Sequence, residues 1–146
     1  MTVTTTSTNP STNPSTNQAE PRVLVVDDSI DAAETLAMLL ETKGCAISTA
    51  LDGASALEAF ARVEPQLVLL DVGLPDMDGF EVARAMSDRN PSALLVALTG
   101  FGDAQTRAAV ERSCFHRHLL KPVDFKVLDE LLMLARGAAA AATTRR

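Results

Sequence analysis

The chain has 146 residues, 47% hydrophobic and 22% charged, which suits one globular domain with a real core and leaves no room for a second. A net charge of -6 disfavours nucleic acid and anionic membrane as non-specific partners. No apolar run approaches the roughly 20 residues of a membrane helix, the N-terminus has no signal features, and two cysteines form no disulfide or metal framework, so a soluble cytoplasmic protein is expected.

Residues 1–20, "MTVTTTSTNPSTNPSTNQAE", repeat Ser-Thr-Asn-Pro and offer a core almost nothing, so a disordered tail is expected there. From residue 21 to residue 136, apolar runs of strand length alternate with segments of helical period, the pattern of βα units around a parallel sheet. The first strand is expected over Val23 to Val26, and its "RVLVVDDS" runs straight into two adjacent carboxylates, Asp27 and Asp28. Burying one carboxylate is costly and two repel, so a cation should meet them. A helix over Ile30 to Lys43 follows, capped by Ser29 or Asp28 and closed by Gly44, with Ala33, Leu36, Ala37 and Leu40 as its apolar stripe. The second unit pairs a strand over Cys45 to Thr49 with a helix over Ala54 to Arg62 behind Asp52 as N-cap.

The third strand, Leu67 to Leu70, ends in Asp71. Asp76 to Gly79 then read as a turn and the N-cap of a helix over Phe80 to Asp88, which Asn90-Pro91 stops; the spaced ligands of a calcium loop are missing. The fourth strand, Leu94 to Leu98, ends in Thr99, before a helix over Ala104 to Ser113 capped by Asp103. His116 and Arg117 read as solvated, and Cys114 as a buried or turn thiol. The fifth strand, His118 to Leu120, is followed by Lys121-Pro122 and a helix over Lys126 to Arg136. Residues 137–146, "GAAAAATTRR", form an alanine-rich C-terminal tail that extends the helix or frays.

Ligands of open parallel sheets bind beyond the carboxyl ends of the strands, where the strand order switches. Asp27, Asp28, Asp71, Thr99 and Lys121 all stand at such ends. Three close carboxylates make a hard oxygen site suited to Mg²⁺ shared with a phosphate. Asp71 is then a candidate nucleophile toward a phosphoryl group, with Lys121 neutralising the phosphoryl oxygens and the Thr99 hydroxyl donating to one of them.

The stretches "VLVVDDS", "LLDVGLPDMDGFEV", "LVALTG" and "LLKPVD", in this order, resemble the receiver domain of bacterial two-component response regulators. The resemblance covers about Arg22 to Arg136. It implies a flavodoxin-like fold with strand order 2-1-3-4-5 and helices on both faces, and phosphorylation of Asp71 by a sensor histidine kinase or a histidine phosphotransfer protein, with Mg²⁺. It further implies direct metal ligation by Asp28, Asp71 and the Gly73 backbone carbonyl, with Asp27 acting through water. Thr99 becomes the switch hydroxyl, Lys121 the phosphate contact, and Lys121-Pro122 a cis peptide. Output is expected through a downstream protein or onward phosphotransfer, because the chain looks too short for an output domain.

Three positions depart from the family pattern. Gly73 has no side chain to tune hydrolysis, His118 stands where the family places a switch tyrosine or phenylalanine, and Ser113-Cys114 replaces an Ala-Gly step. If that step needs a left-handed glycine, Cys114 must accept strain or reshape the turn. The competing readings are a receiver acting as a phosphorylation-independent interaction module, a receiver related to those of hybrid histidine kinases, and an aspartyl-phosphate phosphohydrolase. The last would need a second acid where Gly73 stands.

Overall fold

Among the described residues, five short strands and five helices alternate. They are β1 (Arg22–Val26), α1 (Ile30–Glu41), β2 (Ala46–Ala50), α2 (Gly53–Val63), β3 (Leu67–Asp71), α3 (Gly79–Arg89), β4 (Leu94–Thr99), α4 (Ala104–Glu111), β5 (Arg117–Leu120) and α5 (Phe125–Thr144). The computed structural model describes residues 20–100, 102 and 104–144, with 137–144 as backbone only. All strand pairs are parallel and the sheet order is β2-β1-β3-β4-β5. The order reverses between β1 and β3, so the crevice expected at a switch point opens beyond Val26 and Leu70.

Strands β1 and β3 are apolar at nearly every position because both faces are covered. On one face, Val23, Val25, Leu67, Leu69, Val96 and Leu98 pack against α1 and α5, through Ala33, Leu36 and Leu40 and through Leu128, Leu131, Leu132 and Ala135. On the other, Leu24, Val26, Val68, Leu70, Leu95 and Ala97 meet α2, α3 and α4, through Phe60, Met86 and Val110 among others. Burying each of these larger side chains contributes roughly 2 kcal/mol. The two layers hold the strand ends level, and that levelness builds the site.

The helix boundaries follow local chemistry. Ser29, not Asp28, caps α1, its Oγ accepting from the Ala32 amide, and Asp52 caps α2 through the Ser55 amide. Gly44 takes the left-handed conformation at φ +84°, as its place after α1 requires, although the helix itself stops at Glu41. β2 and β5 begin one residue away from their expected starts, at Ala46 and Arg117. α5 runs past Arg136 as far as Thr144, so of the two outcomes open to the alanine-rich tail it is extension of the helix that is seen. The expected N-terminal tail lies outside the described residues apart from Glu20, as does the expected N-cap Asp103.

Gly79 opens α3 against the end of β3, its amide donating to the Val72 carbonyl at 3.3 Å. A Cβ there would stand 2.5 Å from the Val72 Cα and 2.9 Å from its carbonyl oxygen. Gly79→Ala is therefore expected to destabilise the domain by about 2 kcal/mol, whereas Gly100→Ala, with nothing within 4 Å of the added carbon, should leave the urea midpoint nearly unchanged. Equal midpoints for the two variants would contradict the packing described here.

Candidate functional site

Backbone register delivers the acidic groups to one place. Val26 pairs with Leu70 across β1 and β3, so Asp27, just past one strand, and Asp71, last in the other, emerge side by side. Asp27 and Asp71 are buried, whereas Asp28 is exposed at the rim. One carboxylate oxygen from each of the three lies within 4.8 Å of the others. The cation that buried carboxylates demand is Lys121, whose Nζ stands 2.8 Å from Asp27 Oδ2 and 2.8 Å from Asp71 Oδ2. Burial draws the ammonium toward its neutral form, but hydrogen bonds from it to Asp27 and Asp71, and their negative charge, win and hold the Lys121 pKa above its ordinary 10.5.

The remaining carboxylate oxygens are also oriented. Asp27 Oδ1 accepts the Ser29 amide at 2.9 Å, and Asp71 Oδ1 accepts the Gly73 amide at 2.9 Å. Thr99 is buried at the end of β4, and its carbonyl accepts the Lys121 amide at 2.9 Å. Lys121-Pro122 is cis. On β5, His118 pairs with Ala97 of β4, and among the described residues its buried Nε2 has no hydrogen-bond partner. Made of carboxylate oxygens, with two of the three residues buried, the acidic set fits the preference of Mg²⁺ for hard, partly hydrated sites.

The sequence profile of the response regulator receiver domain matches residues 23–133. The chain belongs to the response regulator receiver family. Among its relatives, an uncharacterised 14.6 kDa protein from the sodA1 3′ region of Leptolyngbya boryana is 36% identical over 108 residues, covering 73% of this chain and 82% of that protein. The probable transcriptional regulatory protein TcrX of Mycobacterium tuberculosis is 42% identical over 112 residues, covering 77% of this chain and 47% of TcrX. This chain thus spans about half of TcrX, and a quarter of the response regulator PleD of Caulobacter vibrioides, to which it is 40% identical. Among solved structures, the CheY-like receiver domain of Methanospirillum hungatei superposes with a TM-score of 0.77 at 21% identity, over 84% of this chain and 99% of that one. The signal receiver domain of an HD domain-containing protein from Pseudomonas fluorescens gives 0.77 at 28% identity, over 87% and 94%.

Within this receiver, the turn before β5 resolves the question that Cys114 raised. Glu64, the αL C-cap of α2 at φ 53°, is the one non-glycine residue with positive φ among those described, so Cys114 carries no such strain. Ser113 reshapes the turn instead: its Oγ donates to the Val110 carbonyl at 2.5 Å and accepts the Phe115 amide at 3.2 Å. Both cysteines are free thiols, and burial pushes Cys45 upward in pKa. Among the described residues, no helix is long and apolar enough to cross a membrane.

Three side chains do work that residue type alone did not reveal. His116, exposed as expected, also accepts the Leu95 amide on Nδ1 at 3.0 Å while its own amide donates to the Leu95 carbonyl at 2.8 Å, continuing the β4 and β5 pairing. Arg22 donates from Nε to the Val63 and Glu64 carbonyls and closes α2. Asp76, expected only as part of a turn, accepts two amides of α2, Gly53 on Oδ1 at 2.7 Å and Ala54 on Oδ2 at 3.0 Å. The available signal was topological: parallel βα units place the loops after β2 and β3 at the same end of the sheet.

Because the folded-state pKa of Lys121 is raised, its contribution to stability is complete below pH 10.5 and is lost as pH rises through the higher folded value. In EDTA, wild type should exceed Lys121→Met in urea midpoint near neutrality, and the difference should shrink above pH 10.5. A difference that stays constant across that range would remove the ammonium from this role.

Proposed function

We propose that this chain is the phosphoacceptor of a two-component phosphorelay, receiving a phosphoryl group on Asp71 from a phosphohistidine of a sensor histidine kinase or a histidine phosphotransfer protein. The observation that carries the reading is the Lys121 ammonium shared equally, at 2.8 Å, by Asp27 and Asp71 beside an exposed third carboxylate. An Asp71 carboxylate oxygen attacks phosphorus, the P–N bond breaks with its electron pair returning to the imidazole, and an acyl phosphate forms. Gly73's amide on Oδ1 and Lys121 on Oδ2 hold the Asp71 carboxylate in place for that approach. As phosphoryl oxygens arrive, Lys121 exchanges its bond to Asp71 for one to the phosphate, and the Thr99 hydroxyl donates to another oxygen.

Mg²⁺, held by Asp28, Asp71 and the Gly73 carbonyl with Asp27 reached through water, would supply the remaining positive charge on the transferring group. The new charge draws Thr99 toward the site, and His118 follows into the space it leaves. The surface formed by α4, β5 and α5, where Leu120 is half exposed, then changes its affinity for a downstream protein. The role is regulatory: the chain catalyses only its own phosphorylation and dephosphorylation. Gly73 offers no side-chain acid for the leaving group of a phosphomonoester, which sets aside a phosphohydrolase.

With acetyl phosphate and Mg²⁺, intact-protein mass spectrometry should find one hydroxylamine-labile phosphate on wild type and none on Asp71→Asn. Labelling of Asp71→Asn to the wild-type level would sink the assignment. The two adjacent aspartates should also separate. Asp27 already accepts bonds from Ser29 and Lys121, whereas Asp28 faces solvent. Asp28→Ala should weaken Mg²⁺ binding by about tenfold or more, and Asp27→Ala by less, in a calorimetric titration.

A further inference from the structure

The first turn of α2 has amides to satisfy and no acidic residue of its own. Asp52 takes the Ser55 amide, which leaves those of Gly53 and Ala54. Both are taken by Asp76, which lies more than twenty residues further along, in the loop between β3 and α3. These amides hold the Asp76 carboxyl below its usual range, so the bonds are made by a charged group. Next to it, Met77 sits on Gly53 so closely that a Cβ there would meet its Sδ at 2.8 Å and its Cβ at 2.9 Å.

The same loop is fixed at two other points. At its start the Gly73 amide binds Asp71 Oδ1, and at its end the Gly79 amide binds the Val72 carbonyl. Gly73, Pro75 and Asp76 are exposed, while Leu74 and Met77 are partly buried against the core, so the Asp76 bonds add a polar tie to an apolar one between these points. Gly73 itself brings no side chain to restrain its peptide planes.

We infer that Asp76 is a positioning residue: by clamping the β3–α3 loop to the start of α2, it sets the Gly73 carbonyl for the metal and makes the start of α2 respond when the metal binds. The inference rests on the proposed Mg²⁺ site. A carbonyl free to wander must be ordered at the moment of binding, which lowers affinity. A carbonyl held in place avoids that loss, and linkage requires that metal binding in turn be felt at Gly53 and Ala54. Asp76 is exposed, so its truncation removes two hydrogen bonds without opening a cavity.

The test is a Mg²⁺ titration of the full chain followed through amide resonances, for wild type, Asp76→Ala and Asp76→Asn, with urea midpoints measured in EDTA. In wild type, the Gly53 and Ala54 amides should move with the same midpoint as Gly73. In Asp76→Ala the Mg²⁺ dissociation constant should rise about tenfold, the Gly53 and Ala54 amides should fall silent, and Asp76→Asn should recover part of both. Acetyl phosphate labelling of Asp76→Ala should need more Mg²⁺ for half-maximal rate yet reach the wild-type rate at saturation. Unchanged Mg²⁺ affinity in Asp76→Ala, or Gly53 and Ala54 amides that still track the metal, overturns the inference and leaves the proposed function standing. A lower maximal rate without a shift in Mg²⁺ dependence, or a weakened affinity that Asp76→Asn does not recover, overturns it as well. A wild type that binds no Mg²⁺ overturns the proposed function and this inference together.

Discussion

Two buried carboxylates at neighbouring strand ends are tolerable only if a cation stands between them, and Lys121 is that cation. The rest of the architecture can be seen as the apparatus that brings it there. Asp27 follows the first strand and Lys121 the last, 94 residues apart in the chain. They meet because β1, β3, β4 and β5 are aligned in register, with a helical layer on each face. No fragment of the sheet contains the site, so the acidic centre is complete only when the whole domain has folded.

Much of this was legible in the residues. Strand runs such as Leu67 to Leu70 are apolar throughout, which announces a sheet covered on both faces, and the first polar residue after each run falls where the crevice opens. Asp71 and Thr99 close β3 and β4, and Asp27 and Lys121 follow β1 and β5 at once. What residue patterns could not convey were bonds to distant backbone. Asp76, Arg22 and His116 each satisfy amides or carbonyls of another element, and such partners depend on which loops become neighbours, not on local spacing. The turn at Cys114 went the same way. Residue types posed a choice between strain and rearrangement, and the Ser113 hydroxyl supplied the bonds that made rearrangement possible.

His118 differs from the groups at the acidic centre, nearly all of which are well supplied with partners. Among the described residues its buried Nε2 has none. A phenylalanine at the same place would bring no ring nitrogen at all.

The margins of the sheet differ from its middle. β2 and β5 are its two edges, only 5 and 4 residues long, and their exposed positions include Thr49 and Arg117. Short edges bearing polar and charged side chains are poor templates for strand addition from another chain. Main-chain pairing along these edges is thereby disfavoured.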